Sequence, residues 1–156
     1  MTEAHFRLAR RSDAKQLGSI RRQAILVLAS SEIGEERAAN WANSASAERV
    51  IRAIEDHEVW VAGQAGVAVG WVEIDGERIE AMYVHPDVSL QGVGSRLLAH
   101  AERRVCELGH ASIQLDASPN AEGFYLRNGY EPRAARRPDA ARPMSKQLHA
   151  SMPTRD

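Results

Sequence analysis

The run Gln91-Gly92-Val93-Gly94-Ser95-Arg96 can do chemistry through its main chain alone. It falls between a stretch patterned as a strand and a stretch patterned as a helix. The first N–H groups of a helix have no carbonyl partner inside it, and the helix dipole is positive at that end. Glycine lets a ligand approach those N–H groups closely. An anion suits such a place, and a pyrophosphate is the obvious guest. A tight loop that needs glycine for positive φ would have the same composition. Two phosphate-binding loops are excluded. A Walker loop ends in Gly-Lys-Ser/Thr, whereas Gly94 is followed by Ser95-Arg96. A dinucleotide fingerprint needs a third small residue where Leu97 stands, and it usually opens the first βα unit, not a loop past mid-chain.

The elements that must position this loop follow from periodicity. Phe6 and Leu8 alternate with polar neighbours as in a short strand. Ser12 is expected to cap the next helix, with Asp13 at its positive end and Leu17, Ile20, Ala24 and Val27 as its apolar stripe. Ser30 to Ser44 reads as a loop holding a short helix around Glu35 to Trp41, and Ala47 to Ile54 as a second short helix capped by Ser46. Val59 to Ala62, Val67 to Ile74 and Ile79 to Val84 read as a three-stranded meander. Its turns are Gln64 to Gly66 and the hairpin signal Asp75-Gly76. His85 to Gly94 is a loop. Leu97, Leu98, Ala101, Val105 and Leu108 line one face of a long helix that Gly109 ends. Ile113 to Ala117 is a strand, giving the strand–helix–strand order of a crossover. Ser118-Pro119 is expected to open a helix that stops at Gly129. Tyr130-Glu131 and Met144 to Leu148 supply the last strands. The whole is an α+β domain with a mixed sheet.

Bulk properties narrow the function classes. The 156 residues suffice for one domain with a real core, expected over 1–148, with 149–156 a frayed tail. A net charge of −1 supplies no global field toward nucleic acid or an anionic membrane, so neither is an expected partner. No apolar run approaches the ~20 residues of a membrane span. Met1 to Arg11 lacks the apolar core of a signal peptide, and the lone Cys106 allows no intrachain disulfide. A cytoplasmic location is expected on these grounds.

Two groups of residues together resemble the GNAT acetyltransferases. The first is Tyr83-Val84-His85-Pro86-Asp87, then Gln91-Gly92-Val93-Gly94, then Leu97-Leu98. The second is Asp116-Ala117-Ser118-Pro119-Asn120-Ala121-Glu122-Gly123-Phe124-Tyr125, followed by Asn128-Gly129-Tyr130-Glu131. The element order agrees over about residues 6 to 148, and Pro143-Met144-Ser145-Lys146 suits the family's final strand. There are two departures. Ser89 stands where the family's loop usually begins with Gln or Arg, so one side-chain contact to phosphate is either missing or supplied by Gln91 or Arg96. Ser118 stands where the family often has asparagine, and Asn120 is the nearer substitute.

The resemblance implies a mostly antiparallel sheet flanked by helices and splayed at the cofactor site. Main-chain groups of Met82, Tyr83 and Val84 would pair with the pantetheine arm of acetyl-CoA as an added strand does. Gln91, Gly92, Val93, Gly94, Ser95 and Arg96 would hold its pyrophosphate. Acetyl transfer needs an amine freed of its proton, donors for the oxyanion, and a proton for the leaving thiolate. The family's tyrosine on the helix after the fifth strand supplies that proton, and Tyr125 matches its position. Packing beside Phe124 is the other reading of Tyr125. For the base, Glu73 and Glu80 are the carboxylates on central strands, His85 is a relay or a turn residue, and water is an alternative. Trp41 lies where the family shapes its acceptor pocket, while Trp60 is expected to pack. Arg133, Arg136, Arg137 and Arg142 would meet an acidic acceptor or the adenosine 3′-phosphate, and a solvated loop is the expected reading. No metal is expected, for lack of a ligand cluster. The competing function is an acyl-CoA-binding sensor of the same fold that lacks catalysis. The acceptor is left as a small-molecule or peptide amine, and a homodimer stays open.

Overall fold

The structure, a computed structural model, describes residues 4–43, 47–138 and 141–149. Seven strands form one sheet in the order β1-β2-β3-β4-β5-β7-β6. β1 (His5–Leu8), β2 (Glu58–Gln64), β3 (Val67–Asp75) and β4 (Arg78–Val84) make an antiparallel meander. β5 (Ser112–Ala117) runs parallel to β4, and β7 (Arg142–Gln147) pairs antiparallel with both β5 and the short β6 (Glu131–Pro132). The expected α+β class and the mostly antiparallel, splayed sheet are observed.

β3 lies in the middle of the meander and is buried from Val69 to Ile74, so its polar alternation disappears. Its two faces serve two cores. On one, Val72 and Ile74 meet Leu97, Leu98, Ala101 and Val105 of α5 (Val93–Glu107). Burying each of these leucines stabilises the fold by about 1.5–3 kcal/mol. On the other, Trp71 packs with Leu17 and Ile20 of α1 (Ala14–Ala24) and with Val50 and Ala53 of α4 (Ala47–Asp56). The Trp71 indole donates to the Leu17 carbonyl at 2.9 Å, which ties α1 to the sheet.

Four expectations need correction. The segment from Ser30 does not begin as a loop. The helix continues as a π-turn, Ile25–Ala29, then α2 (Ser30–Ile33), and α3 (Glu35–Ala42) follows Gly34. The wider π-turn rotates the later residues, so Ile25 and Ala29 are buried and Val27 is 55% exposed. Ser12 is exposed, and the Asp13 carboxylate takes the capping role by accepting from the Arg10 N–H at 2.7 Å. Leu108 leaves the apolar face, because it is the C-cap of α5 and is exposed. The last helix, α6, spans Glu122–Arg127, since the Ala121 N–H bonds the Ser118 carbonyl and closes a turn around Pro119 first. The proposed cap Ser46 and the tail from residue 150 lie outside the described residues.

Behind α6 the buried Glu102 of α5 accepts from the Tyr130 hydroxyl at 2.8 Å and from the Lys146 ammonium at 3.1 Å. The ammonium also donates to the Asn128 carbonyl at 3.0 Å. Gly129 has φ +93°, and a Cβ there would lie 3.3 Å from the Lys146 side chain. The Asn128-Gly129-Tyr130 turn is therefore built around this pair. Glu102→Leu is expected to lower unfolding free energy by about 3 kcal/mol, the low end for a broken buried pair because Lys146 keeps some solvent. Equilibrium denaturation measures this, and a midpoint equal to wild type would remove the network from the account of stability.

Candidate active site

β4 and β5 share a single aligned pair, Arg78 with Gln114, and then part. Past that point the edge of β4 is left facing a cavity of about 320 Å³. Ile79 to Tyr83 form one wall, and Leu115, Asp116, Ser118, Ala121 and Tyr125 form the other. The opposite edge of β4 remains paired, with Met82, Tyr83 and Val84 facing Val72, Trp71 and Gly70 of β3. A strand-like ligand therefore finds main-chain groups of β4 on the open side only.

The register of β3 with β4 steps from Glu73–Ala81 to Ile74–Ile79. Glu80 is the extra residue between these pairs, which makes it the apex of a β-bulge. Bulges re-aim a side chain, and this one brings Glu80 to the cavity wall beside Arg78, 3.5 Å away. Tyr125 reaches the same cavity from α6 and is only 7% exposed. Its ring packs edge-on against Phe124 and Tyr130, with centroids 5.1 and 5.5 Å away. Burial pushes its phenol well above the ordinary tyrosine range, so the hydroxyl keeps its proton at all physiological pH values.

The glycine loop adjoins this cavity. Gly92 has φ +79° and sits at the N-cap of α5. A Cβ on Gly94 would meet the Phe124 ring at 3.4 Å and Val84 at 3.6 Å, so the loop is pressed between the end of β4 and α6. Val93 and Gly94 are buried, whereas Gln91, Gly92, Ser95 and Arg96 are exposed. The Arg96 guanidinium lies over Gly92, 3.3 Å from where a Cβ would be.

The family profile described as Acetyltransferase (GNAT) domain matches residues 29–143, most of the chain. The chain belongs to the GNAT acetyltransferases. Among solved structures it is similar to a GCN5-related N-acetyltransferase from Rhodopseudomonas palustris, at 26% identity and a TM-score of 0.87, with 95% of this chain and 98% of that one covered. It shares the fold of the PaiA N-acetyltransferase of Thermoplasma acidophilum, solved with coenzyme A, at 20% identity and a TM-score of 0.79 over 92% and 98% of the two chains. The same holds for yncA of Salmonella typhimurium, solved with acetyl-CoA, at 18% identity and a TM-score of 0.72 over 94% of each. No curated protein matches by sequence.

The residues singled out from the sequence do not all meet in this GNAT-family chain. Glu80, Met82, Tyr83 and Tyr125 share the cavity. Glu73 does not line it. Its buried carboxylate bonds His57 Nδ1 at 2.5 Å, and this hydrogen bond holds the imidazole's pKa above its usual value. Asn120 is turned to the Ser118 hydroxyl, which donates to its Oδ1 at 2.9 Å. His85 caps a short turn, accepting from the Asp87 N–H at 3.1 Å. Trp41 lines the cavity, while Trp60 packs edge-on to His100 and donates to Glu58. Of the arginines, Arg136 and Arg142 hold Glu122 at the start of α6, at 2.7 and 3.5 Å, and Arg137 approaches Asp116 at 3.5 Å. They meet acidic groups of the protein itself.

Sequence reading missed Arg21 and Arg49, which line the cavity from α1 and α4, and the side chain of Asp116. Arg21 is 7% exposed and donates to the Trp41 and Ala42 carbonyls at 3.0 and 3.1 Å, the negative end of α3. It lies 5.8 Å from the Tyr83 ring centroid. A signal for it existed. Arg21 occupies the apolar stripe of α1, four residues after Leu17, where a charge must have a partner to stay buried. Arg49 carries no such signal, because it is exposed on its helix and belongs to the site only through tertiary placement.

Proposed function

We propose that the chain transfers an acetyl group from acetyl-CoA to a primary amine by direct attack, with Tyr125 as the general acid. The observation that carries this reading is the parting of β4 from β5. It leaves one unpaired strand edge, one buried protonated phenol and one bulged carboxylate around a single cavity, with the glycine loop adjoining it. The residues fit coenzyme A. Gly92 is exposed at the start of α5 with Arg96 over it, the first N–H groups of the helix, from Val93 to Ser95, have no carbonyl partner inside it, and Arg96 adds a positive charge. The edge of Met82 to Val84 suits the amide groups of the pantetheine arm.

Acetyl-CoA would supply the acyl carbon and leave as a thiol. The amine nitrogen forms the new N–C bond while the C–S bond breaks. The amine's proton passes toward Glu80 or to water, and the Tyr125 hydroxyl delivers a proton to the departing sulfur. Burial raises the tyrosine's pKa, and the same enclosure raises that of a thiol placed beside it. Glu73 is a weaker candidate base than Glu80, because His57 already engages it.

Purified protein in EDTA is expected to bind acetyl-CoA in a calorimetric titration and to release free thiol with an accepted amine. No binding at millimolar acetyl-CoA would overturn the reading. Binding without thiol release from any amine of a broad panel would favour the acyl-CoA sensor instead.

A further inference from the structure

The acceptor side of the cavity carries two cations that the proposed catalysis does not use. Arg21 and Arg49 line it from the helical layer together with Trp41. On the sheet side stand Glu80 and Asp116, and the Arg78 guanidinium lies between them, 3.5 Å from one carboxylate and 3.1 Å from the other. Arg137 adds a second cation at 3.5 Å from Asp116. The acidic wall is thus largely neutralised by the protein's own arginines. Arg49 in the cationic wall is not matched in this way. Arg49 makes no ion pair among the described residues, although it stands over a cavity that it shares with Tyr83 and Glu80. Arg21 places a second guanidinium in the wall, held by the carbonyls at the end of α3.

A plain amine or a polyamine reaches this cavity as a cation and meets two arginines. A small amine that also bears a carboxylate is better suited. Its carboxylate can accept charge-assisted hydrogen bonds from the Arg49 fork, its apolar part can lie on Trp41, and its amino group is left toward the bulged Glu80. The volume of about 320 Å³ is at the low end for small-molecule sites, which favours an acceptor of amino-acid size over a folded protein. On the acetyltransferase reading above, we propose that the acceptor is a small amino acid-like amine whose carboxylate is read by Arg49, with Arg21 behind it.

The test measures thiol release from acetyl-CoA with matched pairs: α-amino acids and the amines formed from them by loss of the carboxyl group, phenylalanine with phenethylamine and tryptophan with tryptamine among them. Wild-type protein is expected to show higher kcat/KM for the carboxylate-bearing member. Arg49→Ala should shrink the ratio within a pair by about 10- to 100-fold, the range for lost hydrogen bonds to a charged group. Arg49→Lys, which keeps the charge and loses the fork, should fall between. Equal or inverted preference in the wild type, a ratio unmoved by Arg49→Ala, or no rate in either arm overturns the assignment. A separate titration with acetyl-CoA keeps the two ideas apart. Its failure would sink the acetyltransferase reading, while binding of acetyl-CoA with no preference for carboxylates would sink this one alone.

Discussion

Tyr125→Phe is expected to lower turnover by about 10²–10⁴-fold, the usual contribution of a positioned general acid. The substitution removes one hydroxyl and keeps a ring that packs against Phe124 and Tyr130, so the fold should be intact. Affinity for acetyl-CoA should change only a few-fold, about the loss of one ordinary hydrogen bond of ~1 kcal/mol. The effect falls on kcat because the proton moves only as the C–S bond breaks. The pH profile adds a second check. Burial raises the phenol's pKa, so the acidic form persists as pH climbs, and the phenol's own loss of activity lies above its ordinary value of about 10. A limb that appears near pH 8 or 9 in wild type must therefore belong to another group and should survive in Tyr125→Phe. Wild-type turnover in the variant, with chemistry shown to be rate-limiting, would move the proton to water or to Tyr83, which lines the same cavity.

Gly92→Asp is the second large effect, and it strikes binding. Gly92 has φ +79°, where side chains are strained, and a Cβ would come within 3.3 Å of the Arg96 guanidinium. The new carboxylate would pair with Arg96 and place negative charge where the pyrophosphate is held in the proposed complex. Calorimetry should show acetyl-CoA affinity reduced by at least 100-fold, the loss of several charge-assisted hydrogen bonds to phosphate. Circular dichroism should show a folded protein, because the residue is exposed at the helix start. Gly92→Ala separates the two causes, since it adds the backbone strain without the charge and should cost less. A folded Gly92→Asp that binds acetyl-CoA like wild type would place the pyrophosphate elsewhere.

Much of the frame is legible along the chain because it depends on local rules. The three meander strands come from alternating or continuous apolar runs with turn residues between them. α5 comes from apolar residues at helical spacing, with Leu97, Leu98, Ala101 and Val105 all buried. The glycine loop is readable because a strand, two glycines and a helix start leave few other backbone solutions. These features need only the pleat of a strand, the pitch of a helix and the sterics of glycine. The local reading fails where several local solutions compete. The π-turn at Ile25–Ala29 adds a residue to the turn and carries the helix on into Ser30–Ile33, the start of a stretch expected to be a loop. Pro119 suits the first position of a helix and also a turn, and the Ser118 to Ala121 hydrogen bond chooses the turn.

The chemistry of the site was decided by contacts between distant segments. Glu73 and Glu80 look alike in sequence, both being carboxylates on central strands. The register of β3 against β4 makes Glu80 the bulged residue at the cavity, and the fold delivers His57 to Glu73. The cavity itself exists only because β5 pairs with β4 at one position and then turns to β7. Arg21 and Arg49 come from two helices that meet over β3 and β4, so no spacing within either segment joins them to Tyr125. Strand register, helix docking and ion pairing act across the chain, and their energies depend on which partners the whole fold brings together. The sequence alone was enough to place a glycine loop and a tyrosine in order. Which carboxylate faces the cavity, and which cations line it, followed from the packing of the sheet between its two helical layers.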